Sequence, residues 1–286
     1  MRYGLDIPTA GEYADPLTLA DLAVEAEEAG WDGFFLWDVL FAQGDMHTPV
    51  VDPWIALAAI ASRTQRIRIG AFLTPLPRRR PWQVARQTVT LDRLSNGRLI
   101  FGAALGYQAL DFTVFGEDFD LKRRAEQLDE GLAILQGLWS GDVFSFHGAH
   151  YQVEDALFLP KPLQTPRIPV WLPAGWPKRA PLRRAARWDG VYLMTVNQQT
   201  NALLIPDEIR EIAALISGYR ADATAPFAIA LNGTTPADQE RGAEIVQPYA
   251  EAGATWWVEY EAEPKGMTAY RMRIRSGPPR LDPASR

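Results

Sequence analysis

Asp38 opens a long stretch, Asp38–Val51, that also holds His47. A carboxylate and an imidazole in one loop can hold and move a proton near neutral pH, and long loops in compact domains are more often functional than connective. Further along, Pro173-Ala174-Gly175-Trp176-Pro177-Lys178-Arg179 places a glycine-containing turn ahead of a segment carrying Arg183, Arg184 and Arg187. Free N–H groups at such a turn, with Lys178 or Arg179 beside them, suit an anion such as a phosphate. Ala103-Ala104-Leu105-Gly106 offers small residues that let a flat ring approach the backbone. Glu259 and Glu261 are carboxylates placed to face the same region. The run Arg78-Arg79-Arg80 reads as a solvated charged face, and His147 and His150 as residues of a turn.

Several chemistries are excluded at once. The 286 residues contain no Cys, which removes disulfides, thiolate metal sites, cysteine nucleophiles and iron–sulfur clusters, and three His are too few for a multi-histidine metal centre. Lys and Arg number 29 against 35 Asp and Glu, a net charge of −6 that argues against a nucleic-acid partner. No apolar run approaches the roughly 18 residues of a membrane span, so a soluble, cytoplasmic protein is expected, with no membrane partner.

The elements that must position these residues alternate regularly. Arg2–Ile7 reads as a strand; Asp15-Pro16 then supplies an N-cap and a first-turn proline for a helix ending at Gly30. Gly33–Trp37 is apolar throughout, as a strand buried on both faces is, and Asp52-Pro53 opens a helix to Arg63. Strands Ile67–Leu73 and Leu99–Ala104 alternate with helices Pro81–Leu94 and Leu121–Trp139. Val143–Val153 reads as a hairpin inserted after this fourth helix. Strands at Ile168–Leu172, Val191–Met194, Phe227–Asn232 and Trp256–Tyr260 then alternate with helices Pro181–Arg187, Pro206–Arg220, Ala237–Ala252 and Met267–Ile274. Eight strand–helix units predict a closed TIM (β/α)8 barrel, one domain over residues 1–276 with a frayed tail at 277–286. The active site of such a barrel lies at the C-terminal ends of its strands, where Asp38, Thr74, Leu105, Gly175 and Glu259 all fall.

Four segments carry a family resemblance. IGAFLTPLPRRRPWQVARQTVTLDRLSNGRLIFGAALG (Ile69–Gly106), AEEAGWDGFFLWD (Ala26–Asp38), RRAEQLDEGLAIL (Arg123–Leu135) and RRAARWDGVYL (Arg183–Leu193) resemble the luciferase-like monooxygenases, the bacterial-luciferase superfamily of flavin and deazaflavin (F420) enzymes. The resemblance runs from Tyr3 to about Met194 and implies the same barrel. It implies a non-prolyl cis bond at Ala71-Phe72, supporting the central flavin ring from behind. Thr74, Leu105 and Gly106 would line the ring and its ribityl tail, and Ala174-Gly175 would stand at the phosphate in place of the family's Gly-Gly, assisted by Lys178. Several deazaflavin-dependent members have Asp-His after the second strand; here the pair is Asp38-Val39. Asp38 keeps the position at the ring edge, and His47 is the nearest replacement in sequence for the proton donor.

The resemblance implies a flavin-type oxidoreductase in one of two versions. With reduced FMN and O₂ the enzyme would be a monooxygenase of a small organic substrate, supplied by a separate flavin reductase. With F420 it would be a hydride-transfer dehydrogenase or reductase. A non-catalytic flavin-binding protein on the same barrel is a further reading, and a metal-dependent hydrolase using Asp38, His47 and Glu259 a more remote one. Members of the family are often homodimers, so the same is expected here.

Overall fold

The computed structural model describes residues 1–194, 196–200, 202–260 and 266–281. Among these, β1 (Arg2–Ile7), β2 (Gly33–Leu36), β3 (Arg68–Ala71), β4 (Thr74–Pro75), β5 (Phe101–Ala104), β8 (Val170–Ala174), β9 (Gly190–Leu193), β10 (Ala228–Gly233) and β11 (Trp256–Tyr260) form one parallel sheet in the order β3-β2-β1-β11-β10-β9-β8-β5-β4. Its two ends are consecutive in the chain. Ile69 bridges to Leu99, and Ile100 donates its N–H to the Ile69 carbonyl at 2.9 Å, so the sheet all but closes into the expected barrel.

Helices α1 (Pro16–Ala29), α2 (Pro53–Arg63), α3 (Pro81–Leu94), α5 (Leu121–Trp139), α6 (Arg179–Ala185), α7 (Pro206–Tyr219), α8 (Gln239–Glu251) and α9 (Met267–Arg275) surround it. Their starts follow local chemistry. The Asp15 carboxylate accepts the Thr18 N–H at 2.8 Å, Asp52 accepts that of Ile55 at 3.0 Å, and α1 to α3 each begin with proline. The insertion is an antiparallel hairpin of β6 (Val143–His147) and β7 (Gln152–Leu157). Glu130 of α5 accepts three backbone N–H groups from its turn, at Ala149, His150 and Tyr151, while His150 meets Glu126 at 3.0 Å. A short helix, α4 (Leu110–Thr113), carries no sequence signal of its own.

Side chains alternate across the strands and divide the core in two. One set faces the helices; the other fills the barrel interior with Phe35, Phe72, Ile100, Trp171, Tyr192, Ala230, Trp256 and Val258. The glycines follow from this: a Cβ at Gly4 would lie 2.8 Å from the Phe35 ring, and one at Gly190 2.6 Å from Trp171. Of the tail, Gly277 and Pro279 are buried, with the Gly277 carbonyl accepting from Arg273 at 2.8 Å. Residues 282–286 lie outside the described residues.

Candidate active site

The third barrel strand is interrupted at Phe72-Leu73. The resemblance placed a cis peptide at Ala71-Phe72; the structure places it one bond later, at Phe72-Leu73. The Phe72 N–H still donates to the Leu36 carbonyl at 2.7 Å, so the ladder holds through Phe72 and breaks after it. The side chains diverge accordingly. Ala71 faces the helices, whereas Phe72 turns into the barrel and stacks on Phe35, with ring centroids 3.9 Å apart.

After the break, Thr74 pairs in register with Ala103, which brings the ends of the third and fourth barrel strands together. Thr74 is fully buried and its Oγ1 has no hydrogen-bond partner among the described residues. Leu105 and Gly106 follow β5 as half-buried backbone. Gly106 has φ +82°, and a Cβ there would lie 2.8 Å from the Phe112 ring, so glycine is required by conformation and by packing alike. Buried Arg124 donates to the Leu105 and Gly106 carbonyls at 3.1 and 2.6 Å and fixes this loop.

Asp38 is buried, and its carboxylate is saturated. Arg78 and Arg79 donate to Oδ1 at 2.9 and 2.8 Å, while Arg79 and the Trp54 indole donate to Oδ2 at 2.9 and 3.3 Å. Arg78 continues to Asp111 of α4 at 2.8 Å, and Asp111 accepts the Phe41 N–H at 3.2 Å. Three loops of the mouth are thus tied by one chain of charges, Asp38, Arg78 and Asp111. The expectation of a solvated arginine run is corrected here: only Arg80 is exposed, because two buried carboxylates draw Arg78 and Arg79 inward. The signal for Asp111 was weak, since its partners lie 33 and 70 positions away.

His47 is exposed on the same long loop, its backbone N–H donating to Asp45 at 2.9 Å. Ala174 ends β8 facing the helices, and Gly175 is buried beneath the Gln198 side chain, which occupies the place a Cβ would take. Lys178 is exposed beside them and donates its N–H to the Gly175 carbonyl at 3.0 Å. Helix α6 behind it is only seven residues long.

Glu259 does not face the mouth. It points outward between β11, the Thr235 loop and α9, accepting from Thr235 N, Thr235 Oγ1 and Trp257 Nε1 at 2.6, 2.8 and 3.2 Å. Its neighbour Glu261 lies outside the described residues. Among the described residues no three His, Asp or Glu gather as a metal site, which removes the hydrolase arrangement of Asp38, His47 and Glu259.

One acid escaped sequence reasoning. Asp6, at the C-terminal end of β1, points into the barrel mouth two residues beyond Gly4. Tyr192 Oη donates to its Oδ2 at 3.0 Å; its Oδ1 is buried without a hydrogen-bond partner among the described residues. Burial pushes its pKa up from 3.8 to about 7, opposed by hydrogen bonds from Tyr192 and Trp37. Nothing in the local motif Leu5-Asp6-Ile7 signals this, because the partner Tyr192 is 186 positions away.

A nearly closed parallel barrel with an interrupted third strand and its polar groups at the strand ends defines the luciferase-like class. Residues 4–280 match the luciferase-like monooxygenase family model, and the chain belongs to that family, a superfamily of FMN- or F420-dependent oxidoreductases. An F420-dependent glucose-6-phosphate dehydrogenase of Amycolatopsis mediterranei is 33% identical over 172 residues, 59% of this chain and 50% of that protein. The matched stretch therefore spans half the length of that relative. The fold is similar to an F420-dependent secondary alcohol dehydrogenase solved with an F420-acetone adduct, with a TM-score of 0.80, 15% identity, and 100% of this chain and 99% of that one covered. It is also similar to the monooxygenase RslO1 from Streptomyces bottropensis, with a TM-score of 0.69, 22% identity, and 88% and 77% coverage. These two likenesses concern the fold. Among the described residues, no helix is long and apolar enough to cross a membrane.

Proposed function

We propose that the protein is an F420-dependent oxidoreductase that transfers a hydride to or from the hydroxyl-bearing carbon of a small organic molecule. The observation that carries this choice is the 33% identity to an F420-dependent dehydrogenase. It favours the deazaflavin version over an FMN monooxygenase with a separate reductase. The residues fit such a cofactor. Thr74 presents a buried hydroxyl that lacks a hydrogen-bond partner among the described residues, and Lys178 an exposed cation beside the Gly175 turn.

In this reading the strand carrying Ala71 and Phe72 and interrupted at Phe72-Leu73 backs the ring, and Thr74, Leu105 and Gly106 hold its edge and tail. Ala174, Gly175 and Lys178 hold the phosphate. F420 supplies hydride transfer at its ring; the protein binds, orients and keeps water from it. Asp38, saturated by Arg78, Arg79 and Trp54, positions the loops of the mouth rather than exchanging protons itself. His47 remains a candidate proton carrier that would have to fold inward from solvent. A homodimer is part of the proposal and is measurable by sedimentation.

The test is anaerobic incubation with oxidised F420 and a panel of secondary alcohols and sugar phosphates. Bleaching of the deazaflavin absorbance by one class of substrate is expected. No bleaching with any of them, together with FMN-dependent oxygen uptake, would replace this reading with the monooxygenase.

A further inference from the structure

Hydride removal from a carbinol carbon leaves a hydroxyl proton that must go somewhere, and the residue that follows Asp38 at the mouth is Val39. Val39 is buried and offers no proton site. Asp38 is fully occupied by cations and an indole.

Among the described residues, Asp6 is the other acid facing the barrel interior at its mouth. Asp6 and Tyr192 face inward from β1 and β9, on the strand faces that carry Gly4 and Gly190. The Tyr192 ring packs edge-on against Phe72 at 5.4 Å and 74°, the residue at which the third strand breaks. The pair therefore sits directly beside the strand interruption that backs the ring in the proposed function. Among the described residues, no cation pairs with Asp6. Tyr192 hydrogen-bonds the Asp6 carboxyl, Trp37 lies close enough to oppose the rise in its pKa, and the Asn232 side chain of β10 hydrogen-bonds the Tyr192 hydroxyl. From β11, Tyr260 is the register partner of Asp6, and from α9 the Tyr270 hydroxyl donates to the Asp6 carbonyl at 3.5 Å. A structural ion pair would bring an arginine or lysine to such a carboxylate, as happens at Asp38; among the described residues the hydrogen bond to Asp6 comes from the neutral Tyr192 hydroxyl.

We propose that Tyr192 is the catalytic residue that exchanges the substrate's hydroxyl proton and that Asp6 is the carboxylate that receives it. The inference rests on the hydride-transfer reading of the same site. The substrate C–H bond breaks with its electron pair passing to oxidised F420, and the O–H bond breaks with its proton passing to Tyr192 Oη. Tyr192 gives its own proton to Asp6 Oδ2, and the C–O bond becomes C=O. At the end Tyr192 is again a phenol and Asp6 a neutral acid. In the reducing direction every transfer reverses. A carboxyl raised by burial to about 7 stands near the pH at which acid and base roles are both accessible.

Two measurements test this on the intact protein. Without cofactor, infrared difference spectra of wild type and Asp6→Asn are recorded across pH. A protonated-carboxyl band that titrates near neutral pH in wild type and is missing from the variant is expected; no such band would overturn the assignment of the proton to Asp6. With F420 bound, kcat/KM for alcohol oxidation should rise with pH through about 7 in wild type. Asp6→Asn and Tyr192→Phe should each lower kcat by roughly 10²-fold, at the lower end of general acid–base effects. Their affinity for F420, read by fluorescence, should change less than about twofold, since each variant keeps the shape of the side chain. Both variants retaining kcat and the acidic limb would overturn the inference while leaving the F420 reading intact. Failure of wild type to bind F420 would overturn both.

Discussion

Arg79 grips Asp38 through both carboxylate oxygens, at 2.8 and 2.9 Å, and Arg78 shares the same carboxylate while reaching on to Asp111. The carboxylate at the end of the second strand thus holds the mouth of the barrel together from inside. Removing one partner of a buried pair leaves the other charge desolvated and unpaired, which is costlier than the pair itself is favourable. Asp38→Asn should therefore destabilise the fold by about 3 kcal/mol, the lower end of that range because Arg78 keeps Asp111. Urea denaturation midpoints check it. His47→Ala, at an exposed position, should shift stability by no more than about 0.5 kcal/mol.

Lys178 is the exposed cation of the Gly175 turn. Lys178→Ala should weaken F420 binding about tenfold, in the range of one charge-assisted hydrogen bond. Binding of the deazaflavin chromophore without its phosphate-bearing tail should be unaffected. Equal losses for both ligands would remove Lys178 from the phosphate site.

Stability should depend on pH through two carboxylates of opposite sign. Asp6 is raised by burial from 3.8 to about 7, so the native state holds its proton where the unfolded chain has lost it. Its favourable contribution is complete below about 3.8 and is lost as pH rises through about 7. Glu25 is lowered from 4.5 to about 2, mainly by its hydrogen bonds to Arg271 and further by Arg275. Its contribution is present above about 4.5 and is lost as pH falls towards 2. Asp6→Asn should therefore gain stability relative to wild type above neutral pH and lose it in acid, while Glu25→Gln should differ from wild type least at the most acidic end. Denaturation midpoints measured across pH check both signs.

Much of the fold was legible because its signals are local. Asp15-Pro16 and Asp52-Pro53 cap the helices they begin, and Gly33–Leu36 reads as a buried strand from its own residues. The strand break was harder to place, since its position depends on how far the ladder to β2 extends, and Phe72 takes one more bond than expected. Within the site, Gly106 and the Gly175 turn announce themselves by residue type. Asp6 and Asp111 do not. Each becomes distinctive only through a partner supplied by a distant strand or loop, Tyr192 in one case and Arg78 in the other. The arginine run misled for the same reason: composition favours a solvated face, and only the fold brings Asp38 and Asp111 to meet it.

Titration of the purified protein with F420 and, separately, with FMN, followed by cofactor fluorescence, decides between the two versions of the enzyme. The F420 assignment requires saturable, stoichiometric F420 binding at least about tenfold tighter than FMN, a difference of about 1.4 kcal/mol. Tighter binding of FMN, or binding of neither, would contradict it.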